Sequence, residues 1–138
     1  MCILFSYIAR RCVNPSEFKL VILSNRDEYF HRPSKTASFV DNNCLYGQDL
    51  TPGKEGGTWL GMSKFGKVSA LLNLDRLDYA DDDMNKAGRG FMIPNYLNQN
   101  FPSIKYVESI ENDKYNPFNL LFYEKNEYCF YFLLSQSK

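Results

Sequence analysis

Two short apolar runs, residues 2–8 and 18–24, flank a turn signal at Asn14-Pro15-Ser16, and they constrain this chain more than anything else in it. Runs of that length bounded by turn formers read as strands, and strands so close in sequence pair as an antiparallel hairpin. In such a pair the start of the first strand lies beside the end of the second. Pairing Ile8 near Lys19 makes paired numbers sum to about 27, a register that sets Cys2 beside Asn25, with Arg26, Asp27 and Glu28 next along. A slip of about two residues leaves that neighbourhood intact. The expectation is a thiol at the amino end meeting a corner of opposite charges.

That corner admits two readings. With the initiator Met removed, Cys2 carries an α-amine whose ordinary pKa is about 7.7–8.0, close to working pH. The amine can serve as general base for the thiol of its own residue. Asp27 would accept hydrogen bonds from the amine and orient it. Arg26 would lower the thiol pKa and hold an anionic substrate group. The plainer reading makes Cys2 a small apolar residue at a strand start and 25–28 a solvated turn, and spacing alone favours it.

Along the rest of the chain, residues 25–38, with Pro33 among them, read as a structured loop. A short strand over Cys44–Gln48 precedes the turn-rich segment from Thr51 to Gly57. Residues 58–63 and 67–72 flank Lys64-Phe65-Gly66 as a hairpin. Residues 74–87 are polar and acidic and read as a surface loop. Weak helical spacing covers 103–112, and 91–100 suggests another helix despite Pro94. Residues 118–123 and 128–134 form a last hairpin. Eleven Phe and ten Tyr lean the chain toward strands. The sum is six or seven strands and two helices, a mixed α+β domain. The run from Tyr128 to Leu134 is apolar on both faces and fits a central, covered strand. As an open edge it would invite aggregation, so a partner or further chain is expected to cover it.

Several functions are excluded or disfavoured. Basic and acidic residues balance at 16 each, which removes the electrostatic footprint of a nucleic-acid binder. Cys2, Cys12, Cys44 and Cys129 contain no CxxC pair, so zinc and redox spacings are absent. The amino end has its Arg10 and Arg11 after an apolar run of about nine residues, the wrong order for a signal peptide. No stretch approaches the ~20 apolar residues of a membrane span. Reduced thiols in the cytoplasm follow, although the absence of acidic residues before Glu17 leaves a mitochondrial reading open. Gly47 to Lys54 misses the P-loop spacing, and Gly88-Arg89-Gly90 lacks the third glycine of a dinucleotide fingerprint. Gly56 and Gly57 instead suit a tight backbone approach before Trp59. The acidic run Asp75, Asp78, Asp81, Asp82 and Asp83 misses the calcium-loop pattern. His31 has no spaced partner and reads as a surface or hydrogen-bonding histidine. No cofactor and no metal follow from these patterns.

Five fragments stand in one order: Met1-Cys2-Ile3-Leu4-Phe5, Leu23-Ser24-Asn25-Arg26-Asp27-Glu28-Tyr29, Arg32-Pro33-Ser34, the stretch Gly53 to Gly61, and Ala70-Leu71-Leu72-Asn73. Together they closely resemble the transport and Golgi organisation protein 2 family, also called the NRDE family, with Asn116-Pro117-Phe118-Asn119-Leu120 fitting a later family block. The resemblance implies an amino-terminal nucleophile (Ntn) hydrolase-like fold, two stacked sheets between helical layers, incomplete in this chain. Residues 1–129 would form the amino-terminal part of that domain and 130–138 a divergent tail. The enzymes similar to the family are the bile-salt hydrolases and penicillin V acylases, which open with the same Met-Cys. By position Cys2 matches their nucleophile, Asp27 their amine-orienting aspartate and Asn73 their oxyanion-hole asparagine. Arg26 matches less well, because those enzymes separate Arg from Asp by two residues and here they adjoin.

The family is associated with Golgi organisation and secretion, with mitochondria, and with haem or lipid homeostasis. The resemblance therefore implies a cytoplasmic, Golgi-associated or mitochondrial factor that binds a haem-like or lipid-like small molecule. A thiol amidohydrolase acting on a linear amide and a haem carrier are the alternatives, and a short form without function is another.

Overall fold

Two short, largely apolar runs build β1 (Ile3–Ile8) and β2 (Leu20–Asn25) into the expected antiparallel hairpin. The computed structural model describes residues 2–9, 14, 16–74 and 83–125, together with the backbone of 129–134. The hairpin register differs from expectation by one residue: Ile8 pairs with Leu20 rather than Lys19, and Ile3 with Asn25. Side chains alternate faces along a strand, so this register gathers Leu4, Ile8, Leu20 and Ile22 on one side. Continued by one residue, it brings Cys2 level with Arg26 rather than Asn25.

The remaining strands form one antiparallel sheet in chain order: β3 (Ser34–Val40), β4 (Cys44–Asp49), β5 (Leu60–Ser63), β6 (Lys67–Asn73), β7 (Phe118–Glu124) and β8 (Cys129–Leu134). Each strand pairs with its sequence neighbour, the arrangement that short turns produce most readily. The β5–β6 turn needs Gly66, whose φ of +84° is a conformation that side chains other than glycine's resist. The described residues thus hold eight strands, not six or seven. The addition is β3, where a loop was expected. Its Ser34, Lys35, Thr36 and Ala37 are all exposed, and the register shifts between Lys35 and Ser38. An irregular edge strand washed by solvent on both faces has no apolar alternation to reveal it.

Between β6 and β7 the chain makes a 3-10 turn at Arg89–Phe91, then α1 (Met92–Leu97) and α2 (Ser103–Ser109). Pro94 falls in the first turn of α1, where its missing N–H is not needed. Both helices cover one face of the six-stranded sheet. Their Met92, Ile93, Tyr96, Leu97 and Tyr106 pack on Cys44, Tyr46, Leu71, Phe118, Leu120 and Phe122. Tyr96 meets Phe122 edge-on at 4.7 Å between ring centroids. The helices are also pinned by polar contacts. Lys67 Nζ donates to the carbonyls of Gln99 at 2.9 Å and Phe101 at 2.7 Å, and pairs with Glu124 Oε1 at 3.3 Å. The other oxygen of Glu124 accepts the Ser103 amide and hydroxyl at 3.1 and 3.0 Å. Burial would raise the Glu124 carboxyl, but these hydrogen bonds and the Lys67 charge hold it below its ordinary value.

β8 occupies an edge of the sheet, not the central place its apolar sequence suggested. The chain does supply one cover for it, since α2 packs against β7 and β8. The hairpin β1–β2 stands over the opposite face of the sheet, where Leu20 and Ile22 look across a cleft to Leu45, Met62 and Val68. The architecture is therefore α+β, with helices on one side of a mostly antiparallel sheet and a hairpin on the other. Asp75, Asp78, Asp81 and Asp82 of the expected acidic loop lie outside the described residues.

Candidate functional site

The segment after β2 turns away from the hairpin and runs along the end of the large sheet, carried by a chain of alternating charges. Arg26 Nη2 lies 3.5 Å from Glu28 Oε2, the same oxygen that Arg32 Nη1 contacts, and Arg32 Nη2 reaches Asp49 Oδ2 at 2.6 Å. Asp49 in turn anchors the glycine-rich turn. Its Oδ1 accepts the Thr51 amide at 2.9 Å, its N–H donates to Gly57 O at 2.8 Å, and its carbonyl accepts the Gly56 amide at 3.0 Å. Burial alone would raise the Asp49 carboxyl. The hydrogen bond and charge of Arg32, with the Thr51 amide, outweigh burial and hold the group at about 2.

This frame borders a cavity of about 420 Å³. Arg26, Lys54, Trp59, Asn73, Arg89 and Asn116 are among its lining residues. Its floor is a crossing of two glycine loops. A Cβ on Gly57 would sit 3.2 Å from Lys54 O and 3.3 Å from Gly90 Cα, while Thr58 N donates to Gly90 O at 2.9 Å. The tight approach expected before Trp59 is thus made to Gly90. Two further clasps hold the opposite wall. Asn116 accepts the Asp83 amide through Oδ1 and donates to its carbonyl through Nδ2, both at 3.0 Å. Arg89 Nη1 donates to Pro117 O at 2.7 Å.

Trp59 is the common wall of two spaces. The Arg26 guanidinium lies over its ring, 4.2 Å from the centroid, on the charged side. Trp59 also lines the cleft beneath the hairpin, a space of about 540 Å³ walled by Leu20, Ile22, Leu45, Leu60, Met62 and Val68.

The four residues singled out in the sequence fall as follows. The half-buried Cys2 thiol lies 3.8 Å from the backbone carbonyl of Asp27. Arg26 and Asn73, the latter at the end of β6, line the charged cavity together. Neither Cys2 nor Asp27 is among that cavity's described walls. Sequence reasoning passed over Asp49 and gave Lys54 and Asn116 no role. Asp49 closes a strand that looks ordinary, and its link to Arg32 spans residues with no local pattern. His31, read as a surface residue, stacks on Tyr29 with ring centroids 5.5 Å apart. Among the described residues no cluster of three or more His, Cys, Asp or Glu could hold a metal ion, and no helix is long and apolar enough to cross a membrane.

Comparison with known proteins bears on the same segments. A family model described as "Transport and Golgi organisation 2" matches residues 1–138. The human protein called "Transport and Golgi organization protein 2 homolog" is 41% identical over 125 residues, covering 88% of this chain and 44% of that protein. The Bos taurus protein of the same description is 39% identical over 127 residues, with the same coverage. "Transport and Golgi organization protein 2" of Drosophila melanogaster is 36% identical over 131 residues, 88% of this chain and 45% of that protein. The chain spans less than half the length of these relatives.

Proposed function

This chain belongs to the transport and Golgi organisation 2 family, and on that premise we propose that it serves Golgi organisation and secretion by binding a lipid-like small molecule. The observation that carries the reading is Trp59, shared between a charged cavity and an apolar cleft. A molecule with an anionic group and an apolar tail matches both chemistries. Arg26, Lys54 and Arg89 would offer charge-assisted hydrogen bonds to the anionic group, and the cleft would take the tail away from water. We assign the protein to the cytoplasm or the Golgi surface, on a scaffold resembling that of the Ntn hydrolases. Trp59 is the sole tryptophan, so its fluorescence reads occupancy directly. Titration with a long-chain fatty acid should give saturable quenching that Arg26→Ala weakens and that a neutral alcohol of equal chain length reproduces poorly. Absence of saturation up to the solubility limit would remove this reading.

A second reading, a thiol amidohydrolase, is motivated by the half-buried Cys2 sulfur standing at the Asp27 corner, 3.8 Å from its backbone carbonyl. In that reaction the sulfur attacks an amide carbonyl and the C–N bond breaks. The thiol proton passes through the Cys2 amine to the departing amine, and water then cleaves the thioester. Asn73, matched to the oxyanion donor, lines the charged cavity that Cys2 does not border, so this reading requires a substrate carbonyl that reaches both groups. Intact-mass measurement tests the premise, because a retained Met1 leaves no free Cys2 amine and ends the enzyme reading. Full function in a Cys2→Ala protein would leave only the binding role.

A further inference from the structure

Glu28 Oε2 lies between two guanidinium groups, touching Arg32 Nη1 and standing 3.5 Å from Arg26 Nη2, and all three side chains line the charged cavity. The two contacts are unequal. Arg32 is already neutralised by Asp49 Oδ2 at 2.6 Å, and Asp49 is fixed in turn by the Thr51 amide. Arg26 is engaged more loosely, since 3.5 Å exceeds the about 2.7–2.9 Å of a strong charge-assisted bond. Glu28 is also tethered, because its Oε1 accepts the amide of Tyr29 at 3.0 Å. It stays beside Arg26 without closing on it, and its side chain keeps 21% exposure against 10% for Asp49. Two carboxylates thus serve Arg32, and the more accessible one also faces the guanidinium that lies over Trp59.

A carboxylate in that place acts on an incoming anion in two ways. It offers Arg26 a competing partner of the same chemistry, and it repels the newcomer at close range in a partly desolvated space. The frame itself rests on Arg32 and Asp49, which pair directly. We propose that Glu28 is a built-in competitor for the anionic head of the ligand, keeping its hold on Arg26 weak enough for rapid release. The inference rests on the lipid-binding reading above and adds a regulating residue to that site. Glu28 gives up Arg26 when the head arrives, keeps Arg32, and pairs with Arg26 again as the head departs. Affinity differences among variants of one site fall mostly on dissociation, so the competitor acts on release. An uncharged head meets no such competition.

The test follows Trp59 fluorescence during titration with a long-chain fatty acid and during stopped-flow displacement. Glu28→Gln keeps the shape and the Oε1 acceptor but removes the charge. It should bind the acid ~10-fold more tightly and release it ~10-fold more slowly. The weak response to a neutral alcohol of equal chain length should not change. In an Arg26→Ala background the same substitution should alter acid affinity by ~2-fold or less. Glu108→Gln, an equal change of charge on the exposed side of α2, should have no effect. If Glu28→Gln does not fold, Glu28→Asp withdraws the carboxylate from Arg26 by one methylene and should show a smaller gain of the same sign. Acid affinity in the Glu28 variants equal to or below that of the unsubstituted protein would overturn the competitor role and leave ligand binding standing. A gain matched by Glu108→Gln, or by the alcohol, would do the same. No saturable quenching in any of these proteins would remove the ligand reading and this inference with it.

Discussion

The Arg26 guanidinium stacks on the Trp59 ring at 4.2 Å from its centroid, which joins the charged segment after β2 to the wall between two cavities. Arg26 also reaches Glu28, so one side chain ties an ion pair to an aromatic face. Removing it uncovers the indole. Arg26→Ala should increase quenching of Trp59 fluorescence by acrylamide and lower stability by about 0.5–1 kcal/mol. Arg26→Lys should fall between, since an ammonium keeps the charge but not the flat stack. Equal quenching in all three proteins would show that the ring is not covered in solution.

Asp49 supplies a pH dependence with a definite sign. Its carboxyl titrates at about 2, below the ordinary 3.8. The resulting stabilisation is complete above pH ~4 and is lost as pH falls through the folded value near 2. With allowance for solvent access it should amount to about 1–2 kcal/mol. Asp49→Asn should therefore be less stable by that amount at pH 6, with the gap closing toward pH 2. Glu124 titrates in both proteins and cancels from the comparison. A gap independent of pH would assign the loss to something other than the carboxylate.

What was legible in the sequence was what local chemistry encodes. Short apolar runs bounded by turn formers marked the β1–β2 hairpin, and its antiparallel geometry brought Cys2 to the corner of Arg26 and Asp27. The register was off by one because runs as uniformly apolar as Ile3–Ile8 specify pairing weakly until one face is packed. β3 was invisible because its residues alternate nothing. The polar clasps were hidden for a different reason. Arg32 with Asp49, and Asn116 with Asp83, join segments whose meeting depends on the whole sheet. Lys67 and Glu124 look like ordinary surface charges on two strands, and only the register that pairs them shows a buried ion pair.

That pair should behave as a unit. Lys67→Met leaves Glu124 buried with only Ser103, and should cost about 3–5 kcal/mol. Replacing both, as Lys67→Met with Glu124→Gln, should recover a substantial part, since the amide oxygen can still accept from Ser103. Urea denaturation of the two single variants and the double variant gives the coupling. Additive losses would show that the two charges do not interact across the sheet.

The glycine crossing beneath the charged cavity predicts a contrast between neighbours. Gly57→Ala would push a methyl against Lys54 O and Gly90 Cα, which are backbone and cannot swing aside. Overpacking of that kind costs about 1–3 kcal/mol. Gly88→Ala, with nothing within 4 Å of its added Cβ, should be close to neutral. Melting temperatures of the two variants decide the matter, and a neutral Gly57→Ala would mean that the loops do not touch.

Cys2 and Cys44 should differ in reactivity because their surroundings differ. Cys44 is 1% exposed, lies in the core, and donates to Asn98 Oδ1 at 3.5 Å. Burial, with the nearby Asp41 charge, pushes its thiol pKa up, so little thiolate forms at neutral pH. Cys2 is only half-buried at the hairpin's end, with its sulfur near the Asp27 carbonyl. Brief iodoacetamide treatment of the native protein, read by peptide mass spectrometry, should therefore modify Cys2 and spare Cys44 until denaturant is added. Protection of Cys2 equal to that of Cys44 would place the leading thiol in sealed packing, where neither an amide substrate nor a probe can reach it. The amidohydrolase reading would then lose its nucleophile, while ligand binding at Trp59 would stand unchanged.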